Sequence, residues 1–383
     1  MVCNMLVIFT IFFFIIFVGL HLVLMAGLYL EYRRDLSARN NVLTGTISVS
    51  IIIPVHNEAN RISALLKSLL KQDYPLIELL FIDDRSTDET ASIIHEFSKQ
   101  FNLEGHLCRL LQLTENPGPN YKQFGLIKGF EAAAGELVLL TDADCELPTT
   151  WVSGMVKRMS NLNTGLVIGP VFKKTPQASF LYKTQAFDHV VRYGYLAAST
   201  AIGAPGGGFG NNMAVRKSVL DAAGGYGAVP FSVTEDAALI SFINQKTPCK
   251  IRASLGPDIH VLTETEPTWK QFFIQGLRWT KGGIFSPDRS TRLSFNMLML
   301  MISLGMVALP LLVLESLLWP LPVAVWVAMS MNTIAAIVIS GEHLKDLRPI
   351  DFLIQIFIIP MLNVVLTLMV LLRLPVYWKG KKV

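Results

Sequence analysis

The sequence predicts a doubly wound α/β domain flanked by transmembrane α-helices. Of its 383 residues, 51% are hydrophobic and only 16% are charged, whereas about a quarter of the residues in soluble proteins are charged. The apolar excess lies at the two ends of the chain. Between them, short apolar strands alternate with helical patterns, and acidic residues follow two of the strands. These observations define the fold class and indicate where ligands are expected to bind.

The N-terminal segment is predicted to anchor the chain in a membrane. Met5 to Leu30 form a nearly unbroken apolar run, longer than the roughly 20 residues that cross a bilayer. A secretory signal peptide is the competing interpretation, but its apolar core is shorter and follows a basic start. Residues 1–4 carry no charged side chain. We therefore expect an uncleaved anchor over residues 1–31.

Basic residues next to this anchor orient the chain. Arg33, Arg34 and Arg39 follow it directly, and basic residues near a span are usually retained on the cytoplasmic side. The middle domain is therefore expected in the cytoplasm of a multi-pass protein of the plasma (inner) membrane. The four cysteines form no C-x-x-C pair, which suits a reducing compartment and predicts neither disulfides nor a zinc site. A net charge of +4 identifies no partner, and no nucleic acid is expected.

The C-terminal part is predicted to cross the membrane two or three times. It is apolar from Leu293 to Ser340, about two bilayer crossings, and again from Ile350 to Leu372. We assign residues 293–373 to transmembrane helices and residues 374–383 to a basic tail. Three crossings would leave this tail outside, whereas basic segments prefer the cytoplasm. One segment is therefore a candidate for a re-entrant or interfacial position, and the number of spans stays open.

The middle of the chain alternates between strand and helix patterns. Apolar runs predict strands at 48–55, 79–82 and 135–140, and helical spacing predicts helices at 62–70, 91–97 and 124–134. This order is that of a doubly wound sheet, whose ligands bind at the carboxyl ends of the strands. Asp83-Asp84 and Asp142-x-Asp144 both follow predicted strands. Neither a G-x-G-x-x-G loop nor a P-loop is present.

The pair Asp142-x-Asp144 is a candidate metal site. Carboxylates are hard oxygen ligands that suit Mg²⁺ or Mn²⁺. Mg²⁺ is usually held by one or two protein carboxylates, and substrate phosphates supply further ligands. A metal-bound diphosphate is also a good leaving group, because the cation stabilises the charge that develops on it. The alternative is a solvated acidic turn, which is the commoner meaning of this pattern when it stands alone.

Two further motifs have ordinary interpretations when each is taken alone. Thr-Glu-Asp at 234–236 opens a helical run, where acidic residues interact favourably with the helix dipole. Gln-x-x-Arg-Trp at 275–279 precedes the first C-terminal apolar run, where Arg and Trp are most often interface anchors.

Taken together, the motifs resemble the membrane-bound family 2 glycosyltransferases. These are inverting enzymes of the GT-A fold that include ceramide glucosyltransferase and the cellulose, hyaluronan and chitin synthases. The resemblance rests on the order of the turn at 54–58, the two acidic pairs, Thr-Glu-Asp and Gln-x-x-Arg-Trp, between apolar ends. It covers residues 48–290 and implies a Rossmann-like GT-A domain over 46–290. It also implies a nucleotide-sugar donor, expected to be a UDP-sugar, and Mg²⁺ or Mn²⁺ as cofactor.

The resemblance implies a role for each motif residue. Asp83 and Asp84 match the motif that contacts the uracil and ribose of the donor. Asp142 and Asp144 match the D-x-D motif that holds the metal on the diphosphate. Asp236 matches the proposed general base. The full assignment is catalysis to Asp236 and Glu235, donor binding to Pro54, Glu58, Asp83, Asp84, Lys122 and Asp142, metal binding to Asp142 and Asp144, and acceptor or diphosphate contact to Gln275, Arg278 and Trp279.

The sequence leaves the acceptor open. A membrane lipid or lipid-linked acceptor explains the apolar ends, and so does a growing polysaccharide in a processive exopolysaccharide synthase. The small number of spans favours the lipid, with a glycolipid or cell-envelope glycan as product. The chain departs from the family pattern at His56 and in the glycine-rich stretch 206–212. A transporter fits less well because the spans are few, and a non-catalytic sugar-nucleotide-binding membrane protein because every acid of the motifs is present. The Gln-x-x-Arg-Trp motif argues against a nucleotidyltransferase. Neither the sugar nor the linkage is predicted.

Overall fold

The computed structural model describes residues 2–41, 45–103, 105–115, 121–174, 179–345, 347–375, 377–378 and 381–382. Met1 of the predicted anchor and part of the predicted tail at 374–383 lie outside the described residues.

The secondary structure of the described residues alternates between strands and helices through the middle of the chain and becomes helical towards its end. The helices are α1 (Val2–Arg39), α2 (Ser63–Leu69), α3 (Thr90–Leu103), α4 (Tyr121–Ala132), α5 (Trp151–Arg158), α6 (Phe180–Ala201), α7 (Lys217–Ala222), α8 (Glu235–Lys246), α9 (Trp269–Ile284), α10 (Arg289–Leu311), α11 (Pro320–Ser340) and α12 (Pro349–Leu371). The strands are β1 (Val49–Val55), β2 (Ile77–Asp83), β3 (Leu107–Gln112), β4 (Leu137–Leu140), β5 (Cys145–Glu146), β6 (Thr164–Ile168), β7 (Val171–Lys173), β8 (Met213–Arg216), β9 (Lys250–Ala253), β10 (Val261–Thr263), β11 (Tyr377–Trp378) and β12 (Lys381–Lys382).

The chain divides into two compact units. The sheet unit consists of Glu31–Lys174 and Pro205–Glu264, and the helical unit consists of Met1–Leu30, Thr175–Ala204 and Thr265–Val383. Two stretches of the predicted domain at 46–290 therefore group with the helical unit. The functional domain limits remain a prediction.

The main sheet of the sheet unit has the order β3-β2-β1-β4-β8-β6-β9 among the described residues. Strands β3, β2, β1 and β4 are parallel to one another. Strand β8 is antiparallel to both β4 and β6, and β9 is parallel to β6. The predicted strands are confirmed as β1, β2 and β4, and the predicted helices as α2, α3 and α4. Strands β2 and β4 are buried throughout and β1 almost so, as parallel strands covered by helices should be. The edge strand β3 escaped prediction because its exposed positions interrupt the apolar pattern.

The strand register brings the two acidic pairs to one edge of the sheet. Val55, at the end of β1, pairs with Asp83 at the end of β2. Ile52 pairs with Leu140, the last residue of β4, so the chain reaches Asp142 just beyond the sheet. The predicted position of both acidic pairs at the carboxyl ends of parallel strands is therefore confirmed. A smaller sheet of order β5-β10-β7 follows, in which Thr263 pairs with Cys145.

Several helices of the described residues are long and apolar enough to cross a membrane. By length and composition these candidates are Asn4–Arg39, Arg289–Leu311, Ser316–Ser340 and Pro349–Leu371. Among the described residues, three of these candidates lie in the C-terminal part, and the number of membrane crossings there remains a prediction. Membrane association is thus supported by the apolar character of these helices, whereas the side of each loop is a matter for proposal.

Candidate active site

The loop after β2 is held by a dense set of local hydrogen bonds. Asp83 and Asp84 are both buried. The Asp83 Oδ1 atom accepts a hydrogen bond from the Ser86 backbone N–H at 3.0 Å. Asp84 Oδ1 receives the Nε and Nη2 donors of Arg85 at 2.9 and 2.7 Å. The local fold thus fixes both carboxylates and leaves each with further lone pairs for a ligand.

The turn at 54–58 is joined to this loop. The His56 ring nitrogen Nδ1 lies 2.6 Å from the Asp84 carbonyl oxygen, and the Asn57 carboxamide oxygen accepts from the Thr87 backbone N–H at 2.8 Å. Glu58 is buried and forms an ion pair with Arg61 at 2.9 Å. The predicted donor-binding residues of these two segments are therefore neighbours, and His56 supplies one of the links between them.

Lys122 connects the D-x-D pair to the Thr-Glu-Asp motif. Its Nζ atom, on the first turn of α4, lies 2.9 Å from Asp142 Oδ1 and 3.1 Å from Glu235 Oε1. Burial alone would lower the pKa of Lys122, but the Asp142 and Glu235 carboxylates outweigh it and raise that pKa above its usual value. Lys122 is therefore a permanent cation at the meeting point of two of the predicted motifs.

The two D-x-D carboxylates have different surroundings. The Asp142 side chain is 32% exposed and contacts Lys122 through both oxygens. Asp144, also partly exposed, accepts a hydrogen bond from the Thr263 hydroxyl at 3.2 Å. The neighbouring Cys145 is completely buried. Burial and the Asp144 carboxylate raise the pKa of its thiol, so the thiol stays protonated and is unsuited to act as a nucleophile.

Asp236 lies in the first turn of α8, and both of its carboxylate oxygens are engaged. Oδ1 accepts from the Ala237 backbone N–H at 2.8 Å and Oδ2 from the Gly210 N–H at 3.0 Å. A Cβ atom at Gly210 would lie 3.1 Å from the Asp236 Cβ, so glycine permits this close approach. Burial, and next the Glu235 carboxylate, raise the pKa of Asp236 to about 6.

The Gln-x-x-Arg-Trp motif lies on α9 in the helical unit. Gln275 Nε2 donates to the Glu266 carboxylate at 2.9 Å. The Trp279 ring lies under the Arg192 guanidinium, with 5.6 Å between Cζ and the ring centroid. Arg278 is partly exposed, and within the described part of the chain it forms no hydrogen bond or ion pair.

Several residues near the predicted site were not singled out from the sequence. Thr263 reaches Asp144 only because β10 pairs with β5, across 119 positions of the chain. Glu266 and Arg192 contact the Gln-x-x-Arg-Trp motif without belonging to any recognisable pattern. The glycine-rich stretch is visible in the sequence, but its spacing does not predict the contact between Gly210 and Asp236.

Within the part of the chain that the structure describes, no group of three or more His, Cys, Asp or Glu side chains is arranged to hold a metal ion. The D-x-D pair supplies two carboxylates, and the Thr263 hydroxyl donates a hydrogen bond to one of them, that of Asp144. This donor set fits Mg²⁺ or Mn²⁺, which take few protein carboxylates when substrate phosphates complete the shell.

Comparison with known proteins places the chain among glycosyltransferases. It is 28% identical over 280 residues to the "Probable glycosyltransferase YdaM" of Bacillus subtilis (strain 168), covering 68% of this chain and 62% of that protein. It is 26% identical over 268 residues to the Beta-monoglucosyldiacylglycerol synthase of Nostoc sp., covering 67% of this chain and 55% of that protein. The chain thus matches less than two thirds of the length of these relatives.

A solved structure shares the fold. The mannosyltransferase PcManGT from Pyrobaculum calidifontis, in complex with GDP-Man and Mn²⁺, superimposes with a TM-score of 0.53 at 18% sequence identity, over 94% of this chain and 99% of that one. This likeness confirms the predicted GT-A-like mixed α/β fold. A family model described as glycosyl transferase family 21 matches residues 11–383, which confirms the resemblance to glycosyltransferases drawn from the motifs. The chain therefore belongs to glycosyl transferase family 21, a family of transferase enzymes.

Proposed function

We propose that the chain is an inverting glycosyltransferase that moves a hexose from a UDP-sugar to a hydroxyl group of a membrane lipid. The observation that carries this proposal is the Asp236 carboxylate on the first turn of α8, which accepts hydrogen bonds from the Gly210 and Ala237 N–H groups and has a pKa raised to about 6. A general base works best when its pKa lies near the working pH. The D-x-D pair is linked to the same motif through Lys122 and Glu235.

The acidic cluster favours a bound cation. Asp142, Asp144, Glu235 and Asp236 carry four carboxylates, and Lys122 supplies one ammonium group. Buried or half-buried carboxylates in excess are costly unless a cation balances them. We propose that Asp142 and Asp144 hold Mg²⁺ or Mn²⁺. A bound divalent cation would neutralise charge on the departing diphosphate.

The chain's own groups then have defined tasks. The proton of the acceptor hydroxyl passes to an Asp236 carboxylate oxygen that keeps a lone pair beside its backbone hydrogen bond. The acceptor oxygen forms a bond to the anomeric carbon while the bond to the diphosphate oxygen breaks, and its electron pair leaves with the nucleoside diphosphate. Attack from the opposite face inverts the anomeric centre.

The remaining predicted residues bind the donor and acceptor. We assign the nucleoside to Asp83, Asp84 and the turn at 54–58, whose side chains are fixed by local hydrogen bonds before any ligand arrives. Preorganisation of this kind reduces the ordering cost of binding. Gln275, Arg278 and Trp279 are assigned to the diphosphate and acceptor. An arginine fork binds phosphate oxygens well.

A lipid acceptor is supported by two independent facts. In the described part of the chain, four helices are apolar enough to span a membrane, and the Nostoc relative is named as a synthase of monoglucosyldiacylglycerol. The cytoplasmic location of the sheet unit is also a proposal, based on Arg33 and Arg34 after the first span. A single cysteine introduced at the exposed Asp221 should react with an impermeant maleimide in inverted vesicles and stay protected in intact cells. Labelling in intact cells would reverse the orientation.

A donor and acceptor screen tests the function. The full chain in nanodiscs is supplied with Mn²⁺ or Mg²⁺, a panel of UDP- and GDP-sugars, and dioleoylglycerol or a total lipid extract. We expect metal-dependent release of one nucleoside diphosphate and a sugar-bearing lipid product that disappears with EDTA. Long polymer formed without added lipid would establish a processive synthase instead. Tight donor binding without transfer to any acceptor would indicate a binding protein.

A further inference from the structure

We propose that α6 is a positioning helix for the Gln-x-x-Arg-Trp motif. Gln185, His189 and Arg192 hold the two ends of this motif on α9. This inference rests on the proposed function, which assigns the motif to the diphosphate and acceptor. It adds three residues from a different helix that no sequence pattern connects with the reaction.

The three α6 residues lie on one face of their helix. They are spaced i, i+4 and i+7 along Phe180–Ala201, so their side chains project from the same side. Gln185 and His189 are buried, and the Arg192 side chain is 22% exposed. His189 and Arg192 contact Trp279 on α9, and Gln185 contacts Glu266 in the segment that precedes α9.

Gln185 fixes the residue that holds the first motif position. Its carboxamide makes two reciprocal hydrogen bonds with the Glu266 backbone. Gln185 Nε2 donates to the Glu266 carbonyl at 2.9 Å, and Gln185 Oε1 accepts from the Glu266 N–H at 2.8 Å. The Glu266 carboxylate in turn accepts from Gln275 Nε2 at 2.9 Å. Gln275 is thus held through Glu266 by a side chain 90 positions earlier in the sequence.

Arg192 and His189 fix the last motif position. The Arg192 guanidinium lies 5.6 Å from the centroid of the Trp279 ring, within the range of a cation–π interaction. Arg192 is itself oriented by Asp188, whose Oδ2 accepts from Nε at 2.7 Å. The His189 ring is 5.8 Å from the Trp279 ring, at a tilt of 45°. Two neighbours on α6 therefore define the position and plane of the indole.

The residues of the Gln-x-x-Arg-Trp motif differ in whether other side chains hold them in place. Gln275 and Trp279 are four residues apart and share a face of α9, and both have partners. Arg278, between them in the sequence, has no hydrogen-bond or ion-pair partner among the described residues. Its guanidinium is free to bind an anionic group of the substrate, while its neighbours stay fixed. The two α6 contacts thus determine where that guanidinium is presented.

The contact itself can be measured without any turnover. The chain has six tryptophans, so incorporation of 5-fluorotryptophan gives a small set of ¹⁹F signals for the protein in nanodiscs. The signal lost in Trp279→Phe identifies Trp279. Arg192→Met should shift that signal and leave the other five in place, and Arg192→Lys should restore most of its position. Arg289→Met, which removes an exposed arginine from the same unit, should shift none. A Trp279 signal that ignores Arg192→Met would overturn the proposal.

The consequence for transfer is tested by a double-mutant cycle with UDP-glucose and dioleoylglycerol. We expect Arg192→Met to raise the KM for the acceptor about fivefold with an unchanged donor KM, and Arg192→Lys to recover it in part. In a Trp279→Phe background, Arg192→Met should raise the acceptor KM by less than about twofold, because Arg192 acts through the indole ring that this background lacks. A fully additive effect would show a general structural role and reject the proposal. Normal transfer by Trp279→Phe alone would reject the proposed role of the Gln-x-x-Arg-Trp motif in binding the acceptor. The ¹⁹F measurement does not depend on that role, because it detects the contact between Arg192 and Trp279 directly.

Discussion

Two clusters of charged residues in the sheet unit differ in how their charges are balanced. One surrounds Arg158, at the end of α5. Its Nε donates to Asp35 at 2.7 Å, and its Nη atoms donate to both oxygens of Asp258 at 2.7 and 2.9 Å. Arg39 adds a second cation on Asp35 at 3.0 Å. Two cations thus meet two carboxylates, and the Arg158 side chain is only 3% exposed.

The other cluster surrounds Lys122. There the ammonium group contacts Asp142 and Glu235, while Asp144 and Asp236 add further negative charge nearby. In the balanced cluster each charge has a partner of opposite sign within the protein, so we expect it to stabilise one conformation. An unbalanced one is complete only when a ligand arrives. The two clusters show that the partners of a buried charged residue indicate whether it stabilises the fold or awaits a ligand.

The largest effect expected in the unbalanced cluster is on chemistry. Asp236→Asn keeps the shape of the side chain but cannot accept a proton, so transfer should fall by about 10²–10⁴-fold. Donor affinity should stay close to that of the wild type, and the thermal midpoint should fall only slightly, because the Asn amide nitrogen cannot accept one of the two backbone hydrogen bonds. Nucleoside diphosphate release and donor calorimetry on the same preparation measure both. Asp221→Asn, which alters an exposed carboxylate paired with Lys217, is the matched control. Near-normal transfer by Asp236→Asn would remove the base from the mechanism.

The opposite outcome is expected in the balanced cluster. Arg158→Met leaves Asp35 and Asp258 without their central partner, and loss of one partner of a buried pair costs about 3–5 kcal/mol. We expect a lower denaturation midpoint, with near-normal transfer per folded molecule below it. Lys217→Met, which breaks an exposed pair, should cost at most about 1 kcal/mol. If Arg158→Met reduced turnover without reducing stability, the distinction between the two clusters would fail.

The pH dependence of transfer sharpens the same comparison. Since the pKa of Asp236 is raised to about 6, the carboxylate is deprotonated above that pH and protonated below it. Only the deprotonated form accepts the acceptor proton. The kcat/KM for transfer, which reports the free enzyme, should therefore be level above pH 7 and fall about tenfold per pH unit well below 6. A rate that stays level down to pH 5 would contradict the raised pKa or the role of Asp236 as base.

The parts of this molecule that the sequence predicted are those with local signals. Strands β1, β2 and β4 are continuous apolar runs, and the acids that follow them stand at strand ends for reasons of topology that apply to any doubly wound sheet. Edge strand β3 was missed because half of its side chains face solvent. The charge balance around Arg158 was invisible, since Asp35 lies 123 positions before it. Partners that are distant in sequence are chosen by the fold, and no local pattern encodes them.

The smallest effect is predicted for Thr263, a partner of Asp144 that lies far from it in the sequence. Its hydroxyl donates to Asp144 Oδ2 at 3.2 Å, and a partner of this kind orients a metal ligand, with losses of about tenfold in metal affinity when it is removed. Thr263→Val should weaken Mn²⁺ binding by about that factor or less, measured by calorimetry without donor. Thr263→Ser, which keeps the hydroxyl, should bind normally. Equal affinities for the two variants would show that Asp144 needs no orientation from β10, or that the D-x-D pair does not hold the metal. Because Thr263 acts only on the ligand's orientation, its loss should leave the pH profile set by Asp236 unchanged.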